Sequence, residues 1–111
     1  MAYTVAGIDD VDSLVPEEWG GMWFLRDALG CDQLGVTLLE LEPGGKGKEH
    51  DHAGTDHEEV YLVVDGKLTV ELGDDTVTLG DGEAVRVDPT TTRQLHNTSE
   101  ERVRVVVAGA P

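Results

Sequence analysis

One cysteine, three lysines and five aromatic residues are all that this 111-residue chain holds of those types. A lone Cys31 excludes an intrachain disulfide and fits a reducing cytoplasm; it reads as a small buried hydrophobe, with no partner for nucleophilic chemistry. No apolar run approaches the length of a membrane-spanning helix. The opening, MAYTVAGIDDVDSL, lacks a basic region followed by an apolar one, so a cleaved signal peptide is not expected. Basic charge is also short: 8 Lys and Arg stand against 23 Asp and Glu, for a formal net charge of -15. Such a chain repels phosphate backbones, which argues against nucleic acid and anionic membranes as partners. Acidic, lysine-poor surfaces also resemble those of proteins from salt-loving archaea, the alternative being an acidic protein from a high-GC bacterium.

What the chain has in quantity is short apolar segments between glycine and aspartate. LGVTLLELE (34–42), EVYLVVD (59–65), KLTVEL (67–72), DTVTL (75–79), EAVRV (83–87) and RVRVVVA (102–108) have strand composition. In KLTVEL, Leu68, Val70 and Leu72 fall on one face and Lys67, Thr69 and Glu71 on the other. Asp65-Gly66 and Asp81-Gly82 are hairpin-type turn signals, with Gly73-Asp74-Asp75 a weaker one. The best helical stretch, VDSLVPEEWG (11–20), is limited to about a turn by Pro16. Many short, evenly spaced strands in a chain of one-domain size predict an all-β sandwich or barrel.

Three of the four histidines lie in HDHAGTDHEE (50–59). Strand side chains alternate, so His50 and His52 share a face, and so do His57, Glu59 and Tyr61. If both faces look into a barrel, two pairs of ligands converge across the AGTD linker (53–56). Neutral imidazoles with a carboxylate suit a divalent transition metal: zinc, iron, nickel, manganese or copper. A solvated loop with idle histidines is the competing reading.

The spacing Gly44-x5-His50-x-His52-x6-Glu59-x6-Gly66 resembles the first motif of the cupin superfamily, G-x5-HxH-x3,4-E-x6-G, with about two residues inserted before Glu59. After a short intermotif stretch (67–81), GEAVRVDPTTTRQLHN (82–97) follows the frame of the second motif, G-x5-PxG-x2-H-x3-N. The resemblance spans roughly Leu34 to Val107. It implies a double-stranded β-helix, or jelly-roll barrel, often paired as a homodimer, with residues 1–33 as an N-terminal strand and turn extension. It also implies metal ligation at His50, His52, Glu59 and the position held by Arg93.

In that second motif, Asp88 and Thr90 replace the proline and glycine, and Arg93 replaces the histidine. A guanidinium offers only donors and stays protonated, so it cannot ligate a metal. Three readings follow. His57 completes the set with His50, His52 and Glu59, and Arg93 receives an anionic group of a small-molecule ligand. His96 takes the vacant place through a bulge, against strand parity. Or no metal binds, and Arg93 pairs with Glu59 in a buried ion pair. The first is preferred and the second ranks last. Tyr61, on the inward face, is a candidate pocket hydroxyl. Asn97 reads as a turn cap, Arg26 as a surface cation, and Trp19, Trp23 and Phe24 as core. The functional classes left are a metal-dependent cupin enzyme, a small-molecule-binding or sensing cupin, and a barrel with a decayed site.

Overall fold

Alternation between closely spaced turns produces eight strands. The computed structural model describes residues 2–111. Its elements are β1 (Gly20–Phe24), the short helix α1 (Arg26–Leu29), β2 (Gly35–Leu41), β3 (Glu58–Asp65), β4 (Leu68–Leu72), β5 (Asp75–Leu79), β6 (Ala84–Val87), β7 (Arg93–His96) and β8 (Val103–Ala110). A five-stranded sheet, ordered β1-β2-β8-β3-β6, faces a three-stranded one, ordered β5-β4-β7, and every pairing is antiparallel. This is a double-stranded β-helix. Residues 46–50 extend the smaller sheet by bridging β7, with Lys46 opposite His96 and His50 opposite Arg93.

The expected turns are where the signals lay. Gly66, Gly73 and Gly82 all have positive φ, the region in which a Cβ is strained. At Gly66 a side chain would also press on the backbone of Arg102 and Val103 at 3.0 Å, so the β3–β4 turn has no other good residue there. The stretch 11–20 holds only a single 3-10 turn, Glu17–Trp19, and the short α1 is a helix the sequence did not announce.

The core is built from one face of each strand. Leu39 and Leu41 of β2, Tyr61 and Val63 of β3, Leu68 and Val70 of β4, Leu95 of β7, and Val103 and Val105 of β8 are all buried. Each such side chain contributes on the order of 1.5–3 kcal/mol by leaving water. The alternation read in KLTVEL is present, although Leu72 is only partly buried. Toward the other end of the same inner faces the residues turn polar: Glu59 on β3 and Arg93 on β7 continue the rows begun by Val63 and Leu95. The barrel is therefore apolar at one end and chemically equipped at the other. Among the described residues, no helix is long and apolar enough to cross a membrane.

Two packing expectations need correction. Trp19 and Phe24 are not core residues, being 52% and 53% exposed; both stand on the walls of cavities around the site. Cys31 is half-buried rather than enclosed.

Candidate metal centre

The histidine pair comes from the segment that bridges β7. His50 and Arg93 exchange both backbone hydrogen bonds, at 3.0 and 2.8 Å, which places their side chains as neighbours on one face. His52 follows two residues later and is tied by its N–H to the Pro89 carbonyl at 2.7 Å. Local side chains then fasten the linker: Asp51 accepts from the Ala53 N–H, and Thr55 donates to the His52 carbonyl. Gly54, at φ 87°, allows the reversal that leads into β3. Glu59 arrives from β3, opposite Val87 of β6 and Gly109 of β8. Gly109 is needed for space, because a Cβ there would lie 3.0 Å from His57 Nε2 and 3.2 Å from Glu59 Cγ.

His50, His52 and Glu59 form one cluster, with a ligand atom from each within 4.8 Å of the others. His50 Nε2 lies 3.6 Å and His52 Nε2 3.3 Å from the same carboxylate oxygen, Glu59 Oε1. The Lys48 carbonyl lies 3.0 Å from His50 Nδ1. An Nδ1–H donating to it leaves the Nε2 lone pair facing inward, an arrangement common behind metal-bound histidines. His52 Nε2 is buried and makes no hydrogen bond, despite its approach to Glu59. A buried donor-capable atom without a partner costs about 1–3 kcal/mol, and a cation between the imidazoles and the carboxylate would satisfy it. The residues present therefore fit a metal.

Tyr61 does not offer a free hydroxyl. It donates to Glu59 Oε1 at 2.6 Å while its ring lines the cavity beside the cluster. Burial pushes the Glu59 carboxyl up, but the Tyr61 hydrogen bond and attraction to His52, Arg93 and His50 outweigh it, and the group ends below its ordinary range. Burial first, and then the bond to that carboxylate, pushes the Tyr61 phenol far above its own.

His57 lies outside the cluster. Its ring packs on His52, tilted by 32° with centroids 5.2 Å apart, and it lines a neighbouring cavity with Arg26 and Asp27. Arg93 is at the inner position that the motif frame assigns to it, but its side chain is fully buried. Nη2 donates to the Asp88 carbonyl at 2.8 Å, Nη1 lies 3.9 Å from Glu59 Oε1, and Nε and Nη1 have no hydrogen-bond partner. A guanidinium with no exposed surface has no face to give a ligand; it stands as a countercharge to Glu59. His96 pairs with Lys46 and Thr69 on the opposite parity of β7 and does not join the cluster. Asn97 caps a turn as expected: fully buried, it donates to the Leu41 and Glu101 carbonyls and accepts from Ser99.

Two cavities open beside the cluster. One, of about 220 Å³, is lined by His50, His52, Glu59, Met22, Leu39 and Leu95 among others. The second, of about 230 Å³, holds His57 and Arg26, and the two share Phe24, Thr37, Glu59 and Val107 as walls. Met22 and Phe24 come from β1, so the N-terminal strand contributes to the site. The sequence pointed to no more than an N-terminal strand and turn extension for residues 1–33, and nothing in the composition of β1 marks it further.

An antiparallel β-barrel carrying a two-histidine, one-carboxylate cluster that could hold a metal ion defines a small jelly roll. Residues 37–109 match the Cupin domain family, and the chain belongs to it. An uncharacterized protein of Streptomyces coelicolor is 31% identical over 88 residues, covering 79% of this chain and 76% of that one. Among solved structures, a cupin protein from Bacteroides fragilis superimposes with a TM-score of 0.80 at 20% identity, covering 99% of this chain and 85% of its own. A Cupin 2 conserved barrel domain protein from Salinispora arenicola gives 0.80 at 14% identity, covering 100% and 91%. A cupin-superfamily sugar phosphate isomerase from Silicibacter pomeroyi gives 0.74 at 24% identity, covering 91% and 69%. At these identities the structures speak for the fold.

Proposed function

We propose that this cupin holds a divalent transition metal through His50, His52 and Glu59 and binds a small organic ligand in the cavity beside it. The observation that carries the reading is the buried, unpartnered His52 Nε2, facing the carboxylate oxygen that His50 Nε2 also approaches. Two imidazoles and one carboxylate suit iron, manganese, zinc, nickel or copper. When bound, such a metal supplies a Lewis acid with coordination positions free for a ligand oxygen.

The chain's own residues prepare the place. The Lys48 carbonyl sets the His50 tautomer, Tyr61 orients the Glu59 carboxylate, and Arg93 holds that carboxylate ionised from behind. His57 stands next to His52 as the nearest further donor, at the rim shared with the second cavity.

A second reading has one observation in its favour. Arg93 is fully buried where the second motif calls for histidine, and its charge faces Glu59. In a metal-free barrel, Arg93, Tyr61 and Glu59 would form a structural network. The test is reconstitution of untagged protein with iron, manganese, nickel and zinc in turn, followed by dialysis and elemental analysis. Near one equivalent of a metal, lost in both His50→Ala and His52→Ala, supports the metal reading. No retained metal in any arm supports the second.

A further inference from the structure

Four of the eight cations are committed to ion pairs: Arg86, Arg93, Arg102 and Arg104. Arg26, Lys46, Lys48 and Lys67 make none among the described residues. Lys67 lies among Asp65, Asp81, Glu100 and Glu101, and the Arg26 guanidinium is held by the Cys31 and Asp32 carbonyls, so neither is directed at an apolar wall. Lys46 and Lys48 differ. They border a groove of about 500 Å³ whose other walls include Pro16, Trp19, Met22, Leu39 and Leu41, with no acidic residue. Lys46 also touches a shallow hollow holding Glu18 and Glu42 on its outer side. Lys48 does not; instead it lines the cavity at His50 and His52 as well, and Met22, Leu39 and Gly47 are common to both.

An apolar trough therefore leads to the cluster, with an unpaired ammonium at the junction, in a chain of net charge -15. Lys46 and Lys48 are the two cations bordering the trough, and neither makes an ion pair among the described residues. An anionic head group would find its attractive charge there. The walls narrow the class further. Near the cluster only Thr37, Lys48 and Tyr61 add polar atoms, and the Tyr61 hydroxyl is spent on Glu59. A polyhydroxylated sugar would lose its hydration there with few partners in return. We propose that the ligand is an amphipathic organic acid: its aliphatic or aromatic body lies along Trp19, Met22 and Leu39, and Lys48 reads its carboxylate. This rests on the reading that the cavity beside the cluster is the ligand site.

The test titrates protein with butanoate, hexanoate, octanoate, the neutral octanamide and glucose 6-phosphate by calorimetry, with and without metal. Affinity should rise up to about fourfold per added methylene, and octanoate should bind at least tenfold more tightly than octanamide. Lys48→Met should erase that difference and Lys48→Arg restore it. Elemental analysis of both variants separates a change in acid binding from a change at the metal, since the Lys48 carbonyl beside His50 Nδ1 is backbone and present in each. Equal binding of octanoate and octanamide, tighter binding of glucose 6-phosphate, or no binding of any acid would overturn the proposal. Chain-length and charge dependence in a protein that retains no metal would uphold it while refuting the metal reading.

Discussion

Arg93→Met tests how a fully buried guanidinium acts on the centre. Nη1 lies 3.9 Å from Glu59 Oε1; a cation on that oxygen at the usual ~2.1 Å would be no more than about 6 Å from the positive charge. Coulomb repulsion between one and two charges at that separation is about 3–6 kcal/mol for an effective dielectric between 20 and 40, as suits a fully buried charge. Removing the charge should tighten metal binding by roughly 100-fold or more. Methionine keeps the stem packing but strands the Asp88 carbonyl and leaves Glu59 without its countercharge, so some loss of stability is expected alongside. The guanidinium's two unpartnered nitrogens also impose a desolvation penalty that offsets much of its attraction to Glu59. Competitive titration against a fluorescent zinc chelator measures the affinity, and urea unfolding reports stability. Weaker binding, or no change, would refute the argument: Arg93 would then matter more as a clamp on Glu59 than as a repelling charge. Arg93→His, which also adds a donor, should exceed the methionine variant.

Three other outcomes follow from the structure. Asn97→Ala strands the Leu41 and Glu101 carbonyls that its amide satisfies and should cost about 2–4 kcal/mol in urea unfolding; a loss below half a kcal/mol would count against the cap. Burial pushes the Glu40 carboxyl up, but its bonds to Arg102 and Arg104 prevail and hold it below its ordinary range. A depressed folded pKa gives stability that is fully present above the unfolded value of about 4.3 and is lost as pH falls through the folded one. Glu40→Gln should therefore flatten the acid limb of the urea midpoint, and an unaltered slope would exclude this linkage. With a net charge of -15, raising KCl from about 0.1 M to multimolar, where the Debye length falls from ~10 Å to below ~3 Å, should raise Tm; a salt-independent melt removes self-repulsion as a factor.

Strand positions were legible because the inner face of each strand is uniformly apolar and each turn carries its glycine. β2 to β6 and β8 lie within about two residues of the segments read from composition. β7 was visible only through the motif frame, since RQLH has one apolar residue and no strand signature of its own. α1 was missed because four residues carry too little periodicity to register. Parity paired His50 with His52 and His57 with Glu59. It could not set His57 apart from the His50, His52 and Glu59 cluster, because His57 precedes the start of β3 and strand alternation does not govern it. Parity could not choose between a ligand-facing Arg93 and the buried pairing with Glu59, because it says which face a side chain takes and is silent about what lies over it. Nor was the part played by Lys48 legible, which enters the site twice: its carbonyl orients His50, and its side chain lines the cavity.

The exchange of histidine for arginine in the second motif does not dismantle the site, because the two residues occupy the inner face by the same backbone pairing. His50 and Arg93 would exchange their hydrogen bonds whatever side chain stood at 93. What changes is charge: a neutral donor becomes a fixed cation behind Glu59, which keeps that carboxylate ionised and opposes a second positive charge beside it. The same substitution would therefore favour the ionised Glu59 carboxylate and disfavour a cation bound to it. On the proposed reading, a centre of this kind would bind a cation less tightly and leave more of it open than one with four protein donors. That openness matters only if something enters from the groove. Its two cations, Lys46 and Lys48, make no ion pair among the described residues, and of these Lys48 also lines the cavity at the cluster.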